Sequence, residues 1–360
     1  MKILVLNGGS SSLKCWYDVL HEDALDAPPP QPLWSTHIDW SEKTDIEAVF
    51  ASVLKSLPGA VDVVGHRIVH GGRFRASAIL TPEVRAAIAE ETAIAPAHNR
   101  MALKAVDMLQ QHFGPKLTQI AVFDTAFHST MPPEAYVYPG PYAWFEASIR
   151  RYGFHGISHG YAARRAAQLL GGDPASLRII TCHLGSGASI AAVHGGKSID
   201  TTMGFTPLEG LMMGSRSGSV DPGILIYLLR QHKYTADQLE EILYEQSGLL
   251  GVSGISSDMR EILAATDRGD PRAQLAFDIY LHRLVREIGS MLAVLGGADA
   301  LVFTGGVGEN CAPLRDRAGQ QLKFLPNLRV LVIHAEEEWE IARQCYELQS
   351  GAANRIAILT

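Results

Sequence analysis

The stretch Asn7-Gly8-Gly9-Ser10-Ser11-Ser12-Leu13-Lys14 holds glycines, serine hydroxyls, an amide and a lysine within eight residues. Glycine has no Cβ and tolerates positive φ, so a loop rich in it can bring backbone N–H groups close to an anion. Serine adds donors, and lysine adds a point charge. Phosphate oxygens are the natural partner. The loop is neither a Walker A sequence nor the dinucleotide fingerprint G-x-G-x-x-G. Alone it reads as a hairpin turn. Two further glycine-rich turns follow short apolar strands, at His183-Leu184-Gly185-Ser186-Gly187 and Thr304-Gly305-Gly306-Val307-Gly308. Three such turns point to bound phosphate rather than to three coincidental hairpins.

Arginines and histidines set among glycines form the second group. Gly65-His66-Arg67-Ile68-Val69-His70-Gly71-Gly72 reads as a glycine-rich loop carrying Arg67. Gly153-Phe154-His155-Gly156 and Met213-Gly214-Ser215-Arg216-Ser217-Gly218 present His155 and Arg216 in the same way. A guanidinium clamps phosphate or carboxylate through several donors at once. Any single histidine here has a satisfied core role as its ordinary explanation. Asp124 follows an apolar run, and Glu337 lies in the acidic triplet Glu336-Glu337-Glu338. Composition alone reads that triplet as a solvated first helical turn complementing the helix dipole. Magnesium needs only one or two such carboxylates.

The elements that must hold these residues alternate between short apolar strands and amphipathic helices, which is an α/β pattern. Strands are expected at Lys2–Leu6, Leu13–Val19, Val61–Val64, Gln119–Phe123, Arg178–Cys182, Ser189–Val193, Leu301–Phe303 and Val330–Ile333. Helices are expected at Val84–Ile94, Arg100–Gln111, Gly160–Leu170, Thr235–Gln246, Arg272–Leu295 and Trp339–Leu348. The segment Pro28-Pro29-Pro30-Gln31-Pro32 is expected to be a stiff loop. A diverged duplication would explain two similar halves.

The 360 residues are 47% hydrophobic and 19% charged, with 31 Lys+Arg against 38 Asp+Glu and a net charge of −7. That composition suits a folded chain with a large core. No long basic run offers a nucleic-acid surface. The four cysteines form no C-x-x-C, which fits a reducing compartment. No apolar run reaches the ~18 residues of a membrane span, and the first apolar run is too short for a secretory segment. A cytoplasmic protein with no membrane or nucleic-acid partner is expected.

The motifs Phe123-Asp124-Thr125-Ala126-Phe127-His128 and Met203-Gly204-Phe205-Thr206-Pro207-Leu208-Glu209-Gly210 make the chain resemble the acetate kinase family of short-chain carboxylate kinases. That family belongs to the acetate and sugar kinase/actin-like superfamily. The resemblance covers nearly the whole chain. It implies two RNase H-like (actin-like ATPase) α/β domains with an active-site cleft between them: residues 1–127 plus 339–360, and residues 128–338. It implies reversible transfer of the γ-phosphoryl of Mg2+-ATP to acetate or propionate, giving ADP and an acyl phosphate. Mn2+ is an alternative ion, and a homodimer is implied. By resemblance Arg67, Asp124, His155 and Arg216 are catalytic. The nucleotide side comprises Asn7, Ser12, Lys14, His183, Gly185, Ser186, Gly187, Asp258, Met259, Arg260, Gly306, Val307, Gly308 and Asn310. The carboxylate would meet Arg67, Val69, Ala97, His98, Phe154 and Pro207. Asn7 and Glu337 would attend the metal.

The chain departs from the family pattern in four respects. It is shorter, mainly between Asn310 and Leu331. Ser186 stands where asparagine is usual, and Ala335-Glu336 replaces a threonine–asparagine pair. Ala97 replaces a leucine, which leaves room for a longer acyl chain. Butyrate as acceptor, pyrophosphate as donor, and a non-catalytic nucleotide-binding relative are the alternatives. A sugar kinase of the same fold fits the two specific motifs poorly.

Overall fold

The computed structural model describes residues 1–9, 12–25, 27–39, 44–93 and 96–351, with backbone alone at 93 and 96–98. In chain order the elements are β1 (Lys2–Gly8), β2 (Ser12–Val19), β3 (Trp34–Asp39), α1 (Ile46–Ser56), β4 (Val63–Ile68), β5 (Ala78–Ile79), α2 (Pro82–Glu90), α3 (Pro96–Phe113) and β6 (Thr118–Phe123). Then come α4 (Pro133–Tyr136), α5 (Tyr142–Glu146), α6 (Gly156–Leu170), β7 (Arg178–Leu184), β8 (Ala188–His194), β9 (Lys197–Thr201), α7 (Pro222–Arg230), α8 (Ala236–Glu245), α9 (Gly248–Ser253) and α10 (Met259–Asp267). The chain ends with α11 (Pro271–Leu295), β10 (Ala300–Thr304), α12 (Gly305–Asn310), α13 (Ala312–Gln321), β11 (Arg329–Val332) and α14 (Glu337–Ser350). It divides into two compact units. One comprises Met1–Ser129, His155–Tyr161 and Glu336–Thr360; the other comprises Thr130–Phe154 and Ala162–Ala335.

The first unit is built on a six-stranded sheet of order β3-β2-β1-β4-β6-β5. Strands β1, β4 and β6 are parallel, while β1-β2-β3 is an antiparallel meander. Parallel strands covered on both faces read as continuous apolar runs, and Ile3-Leu4-Val5-Leu6 is one. Leu4 and Leu6 pack with Phe50 and Val53 of α1 and Ala105 and Leu109 of α3. Helix α14 covers the other face through Trp339, Ile341 and Cys345, all buried. Trp339 meets Trp16 edge to face, with centroids 6.2 Å apart. Gly65 makes this approach achievable: a Cβ there would lie 2.6 Å from the Cys345 sulfur and 2.8 Å from Ile341.

The second unit holds a five-stranded sheet of order β11-β10-β7-β8-β9. Strands β7, β10 and β11 are parallel and β7-β8-β9 is antiparallel. Helix α11 buries Phe277, Tyr280, Leu281, Leu284, Ile288 and Met291. Apart from the short β5, the two sheets repeat one RNase H-like order, a meander whose first strand continues into two parallel neighbours. The sequence-level suspicion of two similar halves therefore has a topological basis.

Most expected elements are present, several with altered ends. Helix α2 stops at Glu90 and gives way to a tighter turn at Glu91–Ala93, and Ile94 lies outside the described residues. Gly65, His66 and Arg67 are not in a loop: β4 runs through them to Ile68. Gly305–Asn310 is a short helix rather than an open turn. A Cβ at Gly305 would lie 2.9 Å from the Leu184 carbonyl oxygen, and this residue adopts φ +78°. All four cysteines are free and buried. Among the described residues no helix is long and apolar enough to cross a membrane.

His66 is buried and bonds Gln119 across the sheet at 2.8 Å. Burial drives its imidazole from 6.5 to about 4, against the pull of that hydrogen bond. Between those values the unfolded chain takes a proton that the folded chain refuses, so stability falls as pH drops through this window. Urea unfolding should show wild type losing about 2 kcal/mol more than His66→Gln between pH 7 and pH 5. Parallel losses in the two proteins would remove His66 from the account.

Candidate active site

The first unit gathers its charged residues where its parallel strands end. Asn7 lies near the end of β1, Arg67 near the end of β4, and Asp124 one residue beyond β6. Carboxyl ends of parallel strands are where open α/β sheets place ligands. Arg67 Nε and Nη2 donate to Asp124 Oδ2 at 3.1 and 2.6 Å, and Nη1 donates to Asn7 Oδ1 at 3.1 Å. The Asp124 side chain is 2% exposed and that of Arg67 13%. Burial raises the Asp124 carboxyl, and Arg67 works against that rise. Burial also works against the guanidinium, but Asp124, Glu337 and Glu338 outweigh it and hold Arg67 above its ordinary value. Arg67 therefore stays charged throughout the range in which proteins fold.

Asn7 Nδ2 donates to Glu337 Oε2 at 2.9 Å and to Glu338 Oε1 at 2.6 Å. The packing of Trp339 and Ile341 under the sheet sets the first turn of α14 here. Asn7 turns its oxygen to Arg67 and its nitrogen to the acids. The Asn7 amide oxygen is thus engaged by Arg67, while its nitrogen holds one oxygen each of Glu337 and Glu338. Glu338 joins Glu337 on the Asn7 amide, a contact the sequence reading did not single out, and the acidic triplet was its only signal. Lys14 lies 3.9 Å from Glu338, and Ser12 begins β2. Among the described residues no three His, Cys, Asp or Glu groups form a ready metal cage. Two convergent carboxylates still suit a hard cation that takes its remaining ligands from water and phosphate.

His155 precedes α6 in a left-handed conformation, φ +57°. Such strain in a residue with a side chain costs about 1–3 kcal/mol and concentrates at functional sites. Gly156 donates its N–H to the Asp124 carbonyl at 2.9 Å, and a Cβ there would sit 2.9 Å from that of Phe127. This contact ties His155 to Asp124. The buried Val69 begins a loop fastened on both sides. Asn99 exchanges hydrogen bonds with the His70 backbone, and Gly71 N–H donates to Thr125 Oγ1. Asn99 is a second residue that sequence reasoning missed. Ala97 and His98 lie on the backbone of α3, and their side chains are outside the described residues.

The second unit repeats the arrangement with glycines. Its parallel strands β7 and β10 end side by side, with His183 opposite Thr304. The Gly185-Ser186-Gly187 turn closes through Gly185 N–H to Gly187 O at 2.9 Å, and Gly214 N–H donates to Ser186 O at 3.2 Å. A Cβ on Gly214 would sit 2.9 Å from Ser257 O, and one on Gly305 the same distance from Leu184 O. The turn, the Arg216 loop, the start of α10 and the start of α12 are thus held together by close backbone approach. Asp258 caps α10 and pairs with the exposed Arg260, whose hydrogen bond lowers the Asp258 carboxyl. Met259 is buried behind them. In α12, Glu309 accepts N–H bonds from Gly305 and Ala335, both at 2.9 Å, and pairs with His334. Asn310 Nδ2 donates to Gly306 O, while Val307 and Gly308 complete the turn. Arg216 Nη1 donates to Pro207 O at 3.2 Å. Phe154 is buried.

Residues 43–330 match the Acetokinase family. An acetate kinase of Gloeobacter violaceus is 52% identical over 402 aligned positions, covering 96% of this chain and 99% of the relative. That alignment is longer than the 360 residues here, so the relative carries internal segments this chain lacks. The crystal structure of Porphyromonas gingivalis acetate kinase superposes with a TM-score of 0.85 at 38% identity, covering 97% and 99% of the two chains. A propionate kinase from Francisella tularensis gives 0.87 at 35%, covering 96% and 99%.

Removing one partner of a buried ion pair strands the other. Arg67→Ala should therefore lose ~3–5 kcal/mol of unfolding free energy at pH 7, and Arg67→Ala/Asp124→Asn should recover much of it. The single variant's deficit should shrink from pH 7 to pH 5, as Asp124 takes up a proton. A single variant as stable as wild type would show that the pair carries no burial cost.

Proposed function

The chain belongs to the acetokinase family, and on that premise we propose how its residues carry out carboxylate kinase chemistry. The carboxylate oxygen attacks the γ-phosphorus of ATP. A new P–O bond forms as the bond to the β-phosphate oxygen breaks, leaving ADP and an acyl phosphate. The single observation that carries the reading is the buried Arg67–Asp124 pair beside Asn7 and two carboxylates. Phosphoryl transfer asks a protein mainly for in-line positioning and for positive charge around the equatorial oxygens.

In this reading Arg67 and Arg216 hold the acceptor carboxylate and the moving phosphoryl group. His155 donates to the phosphoryl oxygens as charge builds. Asp124 keeps the guanidinium of Arg67 in plane and in place. The glycine turn at Gly185–Gly187 takes the phosphates, with the segments at Asp258–Arg260 and Gly306–Asn310 around the nucleoside. A Cβ at Gly306 would meet nothing within 4 Å, and that open space favours a nucleoside over bare pyrophosphate. Glu337, with Glu338 beside it, would hold Mg2+, which when bound supplies charge to the phosphate oxygens. Val69, Ala97, Phe154 and Pro207 would line the acyl side. The expected limits, 1–127 plus 339–360 and 128–338, differ from the two compact units mainly in leaving His155–Tyr161 and Glu336–Glu338 out of the first; the reading places the enzyme where ATP is, in the cytoplasm.

The apolar helix α7 supports a homodimer. Ile224, Ile226 and Tyr227 are each half exposed or more, and Val220 and Leu229 are exposed as well. Patches of this kind mark interfaces. Light scattering should give wild type twice the chain's mass and Ile226→Glu a smaller one. A monomeric wild type would remove the dimer.

Acyl phosphate trapped with hydroxylamine should form from Mg2+-ATP with acetate, propionate and butyrate, propionate lying within tenfold of acetate in kcat/KM. Arg216→Ala should lower turnover by about 10²–10³ with normal unfolding behaviour. No trapped product from any acid, or near-normal turnover of Arg216→Ala, would overturn the assignment.

A further inference from the structure

Residues 203–209 of the second unit form a loop that no helix or strand supports, yet it presents the carbonyl that Arg216 bonds. Its shape is set from one side. Arg151 Nη1 donates to the carbonyls of Thr201, Thr202 and Met203, each at 3.0 Å, and Nη2 donates to Glu209 Oε1 at 2.7 Å. Tyr138 donates its hydroxyl to Glu209 Oε2 and accepts the Phe205 N–H at 2.9 Å. The Gly204 carbonyl accepts N–H bonds from Tyr152 and Gly153. A side chain at Gly204 would run into Glu209, 2.7 Å from its carboxyl carbon, so the loop is wrapped around that acid. The Arg151–Glu209 pair is partly buried, at 17% and 33% exposed. Burial and the neighbouring carboxylate hold the Tyr138 phenol above its ordinary value, so it remains a donor.

We propose that Tyr138, Glu209 and Arg151 are positioning residues that set Arg216 through the carbonyl of Pro207. The inference rests on the proposed role of Arg216 in phosphoryl transfer. In this reading the three residues act on the loop rather than on either substrate. They fix both ends of a seven-residue loop, and Pro207 near its tip orients the guanidinium. A backbone carbonyl is a weak tether unless the chain around it is held, and here the loop on either side of Pro207 is held by an ion pair and a phenol. Precise placement of a charge donor is what phosphoryl transfer rewards.

Kinetics should show a split. Tyr138→Phe, which keeps the ring and the fold, should lower kcat/KM for the carboxylate at least tenfold while KM for ATP changes less than twofold. In an Arg216→Ala background the same substitution should cost nothing further, because its route to the reaction is already gone. Equal losses in both backgrounds would overturn the proposal. A readout independent of turnover is the rate at which phenylglyoxal labels Arg216, mapped by peptide mass. It should rise several-fold in Tyr138→Phe and Glu209→Gln relative to wild type, and unchanged labelling would overturn the proposal. An inactive wild type would refute the carboxylate kinase reading, whereas the labelling comparison would still decide whether the loop positions Arg216.

Discussion

A carboxylate nearly removed from water cannot stay charged without a partner, and Asp124 is 2% exposed. Its partner is Arg67, whose Nε and Nη2 both donate to one carboxylate oxygen, Oδ2. This pair fixes where Arg67 points, and most of the first unit serves to make it. Strands β4 and β6 must be parallel neighbours in register, so that Arg67 faces Val122 and Asp124 follows. Strand β1 must lie beside β4 so that Asn7 reaches the remaining guanidinium nitrogen. Helix α14 must press on the sheet closely enough to put two acids on the Asn7 amide, and Gly65 permits that approach. Each requirement concerns packing distance, and the functional charge sits where all of them meet.

The second unit uses the same strand order for another purpose. Where the first ends its parallel strands in charged side chains, the second ends them in glycines at Gly185, Gly187 and Gly305. Acceptor carboxylate and moving phosphoryl call for cations with fixed direction. Phosphates of a nucleotide call for backbone that can come close. Under the proposed function, one topology would serve two kinds of anion, distinguished by what occupies the strand ends. Glu309 rigidifies the glycine side by accepting two backbone N–H groups at once.

What could be read from the residues was the local part. The runs at β1, β6, β7 and β8 and the stripe of α11 declare themselves by period and apolar content, because their environments are uniform along their length. Among the candidate residues, Asn7, Arg67, His155 and Arg216 lie among glycines, where polar and charged groups are uncommon in a core, and Asp124 follows an apolar run. Other features depended on partners far away in the chain. Glu338 looks like an exposed helix start until Asn7, 331 residues distant, is brought to it. Gly65-His66-Arg67 looks like a loop because glycine and charge suggest one, and only the flanking strands make it β4. Gly305–Asn310 looks like an open turn because helix propensity counts against glycine, whereas Glu309, accepting the Gly305 and Ala335 N–H groups, holds it as a helical turn. Nothing local marks Tyr138, and Glu209 shows only as part of a motif; the role proposed for them comes from enclosing a loop.

The central claim is that the chain passes a phosphoryl group to a carboxylate rather than to water. Phosphorus NMR of the full-length protein with Mg2+-ATP, with and without propionate, tests it most directly. The account predicts that with propionate the ATP resonances give way to ADP and an acyl phosphate, with little inorganic phosphate, and that without the acid ATP persists. Inorganic phosphate and ADP appearing at the same rate with and without propionate would contradict it.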